Sequence, residues 1–132
     1  MSQERFDLLR NLGYSEKAIQ YISEERNLGR LPSFSTEAAH TGQCGDMMQL
    51  FLVVDGDTIR DASYVHVGCS GLQACASALT TMIKGMSLDE AARIDVPQIV
   101  EFLGSIPPNK LDCAELARDT LRKAIEIERA KA

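Results

Sequence analysis

The chain has 132 residues, 45% of them hydrophobic and 25% charged, the size and composition of a single globular unit at roughly 150 residues per domain. No apolar run approaches the ~20 residues a membrane helix needs, so no membrane partner is expected. Fourteen basic against nineteen acidic side chains leave a net charge of −5, a field that repels phosphate and argues against nucleic acid.

Phe6, Leu9 and Leu12 recur at helical spacing ahead of Gly13 and predict a short opening helix. Ser15 stands where an N-cap belongs, before Ala18, Ile19 and Ile22, and Asn27 with Gly29 closes this second helix. Residues 29–45 are rich in Gly, Pro, Ser, Thr and His, which favours irregular chain with one short edge strand. Met47–Val54 and Thr58–Val67, separated by Asp55-Gly56-Asp57, predict two strands joined by a tight turn. Ser70 is placed to cap a helix that runs through Lys84, with Leu72, Ala76, Leu79 and Ile83 on one face. Ser87-Leu-Asp-Glu90 is a capping-box pattern, and Asp95-Val-Pro opens a further helix reaching Leu103. The prolines of Ile106-Pro107-Pro108-Asn109-Lys110 exclude regular helix. Asp112-Cys-Ala-Glu115 then fits the capping pattern of a last helix to about Lys131, whose exposed face carries Asp119 and Lys123 four apart. Helices, a small antiparallel sheet and more helices give an α+β fold.

The chemistry lies with Cys44, Cys69, Cys75 and Cys113. The N-terminal run MSQERFDLLRNLG lacks the basic start and apolar stretch of a secretory signal, which predicts a cytoplasmic setting and reduced thiols. Cys44 stands between Gly42 and Gly45 before a strand, while Cys69 and Cys113 stand at helix starts, where unpaired N–H groups favour the thiolate that metals and sulfur chemistry need. Cys75 is six residues along the helix from Cys69, about 120° around it, and is expected to face the core as a small hydrophobe. None of the spacings is a C-x-x-C pair of the zinc-ribbon or thioredoxin kind, so spacing alone does not decide whether the other three share a site.

Six stretches in order carry a resemblance: Tyr14-Ser-Glu-Lys-Ala-Ile-Gln-Tyr21, Arg26-Asn-Leu-Gly29, Cys44-Gly-Asp46, Gly68-Cys69, Lys84-Gly-Met-Ser-Leu-Asp-Glu-Ala91 and Pro107-Pro-Asn-Lys-Leu-Asp-Cys113. Together they resemble the IscU/NifU N-terminal iron–sulfur scaffold family over about residues 14 to 130. The resemblance implies a three-stranded antiparallel sheet packed against several helices, with an extension helix over 1–13 ahead of a scaffold domain over 14–132. It implies a non-enzymatic scaffold that builds a transient [2Fe–2S] cluster from iron and sulfur supplied by a cysteine desulfurase, then passes it to apo-proteins. Carried over residue by residue, Cys44, Cys69 and Cys113 match the cluster ligands and Asp46 the acidic residue that keeps the cluster labile.

Two positions depart from the family pattern. Asp112 stands where many IscU-type members have His; it either caps the last helix or offers a fourth ligand, for which Asp46, His40 and solvent are the other candidates. Ile106-Pro107-Pro108-Asn109-Lys110 is similar to the segment through which IscU-type scaffolds engage an Hsp70-type chaperone, but Asn109 replaces an apolar residue, and the alternative is a rigid loop that positions Cys113. His66 is expected to be a packed strand residue, and Met47, Met48, Met82 and Met86 to fill apolar gaps. A zinc-bound sulfur acceptor resembling the SufU branch is the second functional expectation, because zinc suits the same donors. The spacing argues against it: SufU members insert a longer segment between the second and third cysteines, where this chain has 43 residues.

Overall fold

In the computed structural model, which describes residues 1–131, serine hydroxyls start the first two helices. Ser2 accepts a hydrogen bond from the Arg5 amide at the head of α1 (Gln3–Leu12), and Ser15 accepts from the Ala18 amide at the head of α2 (Glu16–Glu24), the capping chemistry that satisfies otherwise orphaned donors. Helix α2 stops at Glu24, earlier than the Asn27/Gly29 signal suggests, because Glu25 (φ 50°) and Asn27 (φ 63°) both turn left-handed. The Asn27 amide group is held there by Thr80, Thr81 and Lys84.

Three strands follow, β1 (Thr36–Thr41), β2 (Met47–Asp55) and β3 (Thr58–Val67), in antiparallel order β1-β2-β3 with a bulge at Val53/Val54. Strand β1 is the edge strand foreseen in the irregular stretch. One sheet face, carrying Met48, Leu50, Leu52, Ile59, Ala62 and Tyr64, is buried under the helices that follow.

Helix α3 (Ser70–Ile83) is the axis of the molecule. Its run of small residues, Gly71, Ala74, Cys75, Ala76, Ser77 and Ala78, is wholly buried, so the helix packs on β3, α2, α5 and α6 at once. A helix apolar around its circumference belongs in an interior. Its buried polar groups are paired: Tyr64 Oη lies 2.8 Å from Ser77 Oγ, and Gln73 Nε2 donates to the Ile22 carbonyl at 3.2 Å. The Ser70 cap does not form. Cys69 occupies the N-cap position, without a side-chain hydrogen bond to the helix, and Ser70 is the first helical residue.

Helices α4 (Leu88–Ala92) and α5 (Val96–Leu103) each begin with a complete capping box, Ser87/Glu90 and Asp95/Gln98. The proline segment is more helical than expected. Pro108–Lys110 forms one 3-10 turn, which a proline at its first position tolerates because that N–H has no helical partner. The turn runs straight into α6 (Leu111–Arg129). Asp112 is therefore the second residue of α6 and not its cap; Lys110 holds the cap position. The Asp119–Lys123 pair is also replaced: Asp119 accepts from Arg118 at 3.0 Å, and Lys123 donates to the Ala39 carbonyl of β1 at 2.7 Å.

Candidate metal centre

Chain ends of the sheet and of two helices meet at one rim of the molecule. Pairing of Thr41 with Met47 leaves residues 42–46 as the β1–β2 loop, closed by a hydrogen bond from the Gly42 amide to the Asp46 carbonyl at 2.8 Å. Pairing of Met47 with Val67 carries the next residue of β3's exit, Gly68, to Asp46. A Cβ on Gly68 would lie 2.5 Å from Asp46 Cγ, and its φ is +154°, so both space and backbone conformation require glycine there. This close approach brings Asp46 Oδ2 to 3.5 Å from the Cys69 amide at the head of α3.

Cys113, in the first turn of α6, reaches the same point from the other side. Its Sγ lies 3.6 Å from Cys69 Sγ. A carboxylate oxygen of Asp46 and these two sulfurs all lie within 4.8 Å of one another, the only such ligand group among the described residues. Thiolate sulfur with a carboxylate oxygen is a donor set for zinc or iron.

The two thiols differ. Cys69 is half-buried, whereas Cys113 is 3% exposed. A helix start favours the thiolate, yet burial, reinforced by the neighbouring Cys69, pushes the Cys113 thiol above its ordinary value. With desolvation the leading cause of that shift, a metal that takes the Cys113 thiolate must displace its proton. Lys110, in the 3-10 turn, packs its stem over Gly71, where a Cβ would come within 3.1 Å of it. The charge of Cys69 above all, then those of Cys113 and Asp112, raises the Lys110 ammonium above its ordinary value against the opposing effect of desolvation.

Cys44 is exposed on the 42–46 loop and is not part of the 4.8 Å group. It lines a cleft of about 210 Å³ together with His40, Asp112, Glu115 and Asp119. Asp112 is thus placed on the Cys44 side of the rim. Cys75 is fully buried, as its helical phase requires, and burial pushes its thiol up to about 12. His66 is half-buried, its Nδ1 has no hydrogen-bond partner among the described residues, and burial lowers it below its ordinary value against the pull of Asp46. Ile106 and Pro107 are buried, with Pro107 against Gly13, while Pro108 and Asn109 are exposed. The segment thus enters the core at Ile106 and Pro107 and turns outward at Pro108 and Asn109 before α6.

Sequence reasoning gave no separate role to Tyr14 or Gly68. The Tyr14 hydroxyl lies behind the centre, 3.0 Å from where a Gly71 Cβ would stand, and burial, then Cys69, Cys113 and Cys75, raises it above its ordinary value. Only the β2–β3 register and the packing of α2 on α3 reveal these neighbours; the glycine before Cys69 was the one visible signal.

The sequence profile of the NifU-like N-terminal domain matches residues 13–132. The chain belongs to the IscU/NifU N-terminal domain family. The iron–sulfur cluster assembly scaffold protein IscU of Haemophilus influenzae is 38% identical over 125 residues, covering 91% of this chain and 98% of that protein. The iron–sulfur cluster assembly protein IscU of Plasmodium falciparum is 34% identical over 130 residues, covering 96% and 78%. Among solved structures, the N-terminal part of a NifU-like protein from Brucella abortus superposes with a TM-score of 0.73 at 16% identity over 89% of this chain and 95% of that one. A scaffold protein for the SUF system from Fervidobacterium islandicum gives 0.69 at 23% identity over 85% and 96%. These structures share the three-stranded antiparallel sheet and its helices. Family membership agrees with the expectation of a scaffold and not an enzyme, and the Asp46/Cys69/Cys113 group is a candidate metal-binding site in this chain.

Proposed function

We propose that this chain assembles a transient [2Fe–2S] cluster from iron and desulfurase-derived sulfur and transfers it to apo-proteins. The observation that carries this reading is the convergence of Cys69, Cys113 and Asp46 within 4.8 Å at a rim made of loop and helix ends. Cys44 completes the thiolate set from its exposed loop, and Asp112 on the same side is the candidate fourth donor. Thiolate ligands suit iron and sulfide, and an open rim lets cargo enter and leave. Asp46 assists exchange by offering a harder oxygen ligand in competition with sulfur. The partners are a cysteine desulfurase and apo iron–sulfur proteins. Pro108, Asn109 and Lys110 are the part of the proline segment left for an Hsp70-type chaperone. Reduced thiols and labile cluster chemistry fit the cytoplasm.

Anaerobic reconstitution with iron, L-cysteine and a desulfurase tests the proposal. The native chain should develop the visible absorption of a [2Fe–2S] cluster, and Cys→Ser at 44, 69 or 113 should abolish it; folded native protein that stays colourless would refute assembly. Asp46→Ala should slow cluster loss to an apo-acceptor, and an unchanged or faster loss removes Asp46 from the exchange step. The zinc-bound sulfur acceptor is the second reading, favoured by the same Cys/Cys/Asp donor set. Stoichiometric zinc in the purified chain, together with desulfurase turnover accelerated by it and no cluster on reconstitution, would decide for that reading.

A further inference from the structure

The 3.6 Å between Cys69 Sγ and Cys113 Sγ is sulfur–sulfur contact. A disulfide needs about 2.05 Å, so bonding asks each side chain for less than an ångström of movement. Cys69 has that freedom: it sits at the cap of α3 with no side-chain hydrogen bond to the helix. The pair is also asymmetric, one thiol open to a sulfur donor and the other 3% exposed behind it. An accessible acceptor in contact with a second thiol is the arrangement in which a persulfide formed on the first has an attacking sulfur already held beside it.

We infer that Cys69 and Cys113 form a sulfide-releasing pair: sulfane sulfur accepted on Cys69 is reduced to sulfide by Cys113, leaving a Cys69–Cys113 disulfide. Cys113 Sγ attacks Cys69 Sγ, the inner sulfur of the Cys69 persulfide. The Cys69 Sγ–outer sulfur bond breaks, the Sγ–Sγ bond forms, and the outer sulfur departs with the bonding pair. The terminal sulfur goes from the sulfane to the sulfide state while the two cysteine sulfurs supply both electrons, and the Cys113 proton leaves with the product as hydrogen sulfide. Lys110, whose stem packs on Gly71 two residues from Cys69, offsets the charge developing on the leaving sulfur. One sulfide is released per reduced pair, and a dithiol reductant must reopen the disulfide before metal can bind. This inference rests on the reading of the rim as a recipient of sulfane sulfur, and it adds an activity that cluster assembly does not require.

The test uses the full chain, reduced, freed of reductant and treated anaerobically with one equivalent of glutathione persulfide in the presence of a chelator. Released sulfide is measured together with peptide mass mapping. The native chain should release about one sulfide per chain in step with a linked Cys69–Cys113 peptide pair, and prior zinc loading, with the chelator omitted, should suppress both. Cys113→Ser and Cys113→Ala should retain a persulfide on Cys69 with at least a tenfold slower release, while Cys75→Ala, at a buried thiol outside the ligand group, should release like the native chain. A persulfide that persists on native Cys69, release undiminished in both Cys113 variants, or a disulfide from Cys69 to Cys44 or Cys75 would overturn the inference. Assembly from iron and inorganic sulfide bypasses the persulfide. A chain that builds a cluster that way but releases no sulfide loses only this inference, whereas one that releases sulfide but builds no cluster loses only the scaffold reading.

Discussion

Cys69 and Cys75 are the same side chain, six residues apart at the two ends of the first turns of α3, yet they belong to different regions. Cys75 lies in the interior, fully buried, its thiol pushed up to about 12 by desolvation. Cys69 caps the helix at the rim, half-buried, with Cys113 Sγ, Asp46 and Lys110 around it. The residue type does not determine its chemistry; the element boundary does. A helix interior surrounded by Leu72, Leu79 and Tyr64 excludes water and charge, whereas the end of a helix gathers the loose ends of other elements and leaves one side open.

The comparison is broken most directly by exchanging consequences between the two regions. Cys69→Ser should weaken zinc binding by more than about 100-fold, read by competition with a chromophoric chelator, with thermal unfolding of the apo-chain nearly unchanged. A large loss of stability with metal affinity intact would place Cys69 in the core. Leu79→Ala, one turn beyond Cys75 and fully buried, should do the converse. Urea unfolding should show a loss of about 2–5 kcal/mol, with metal affinity per folded molecule retained.

Gly68→Ala probes the join between the sheet and the rim. The added methyl meets Asp46 at 2.5 Å and the backbone φ of +154° disfavours any side chain, so the carboxylate must move off the centre. About a tenfold loss of zinc affinity, with a destabilisation of about 1 kcal/mol, is the expected result. Unaltered affinity would mean that Asp46 contributes nothing to binding.

The smallest effect is in pH dependence of the interior. Cys75 titrates near 12 in the folded chain against an ordinary 9.0, and Tyr64 near 12 against an ordinary 10.0. Raised acids of this kind stabilise the fold fully below their ordinary values and lose that contribution as pH rises toward their folded values. The urea midpoint of the apo-chain should therefore fall steadily as the pH is raised above about 9. Cys75→Ala should flatten the earlier part of the fall, leaving metal affinity unaltered; a midpoint insensitive to this variant would show that Cys75 is not held neutral by the interior.

The elements were legible because their signals are local. Ser15, Ser87 and Asp95 cap the helices they precede, and the Asp55-Gly56-Asp57 turn joins β2 to β3. The burial of Cys75 followed from its angle on α3. What was not legible depends on how distant segments meet. Asp112 matches a cap pattern, but the 3-10 turn after Pro107 starts the helix two residues earlier and leaves Asp112 lining the cleft beside Cys44. Cys113 stands at a helix start, as expected, but packing of α6 on α3 buries it and reverses the direction in which its acidity moves. The approach of Gly68 to Asp46 exists only in the β2–β3 register, which residue types along either strand do not specify. The edge strand β1, Thr-Glu-Ala-Ala-His-Thr, has too weak an alternation to be bounded before its pairing with β2 is known.

The central claim is that the rim of Cys44, Cys69 and Cys113 holds a cluster as cargo. Mössbauer spectroscopy of the anaerobically reconstituted chain, with iron and acid-labile sulfide measured on the same sample, tests it most directly. The account predicts equal iron and sulfide and the diamagnetic signature of a [2Fe–2S] centre at low temperature, lost in Cys69→Ser. Mononuclear iron without sulfide, or zinc that iron and sulfide never displace, would contradict it.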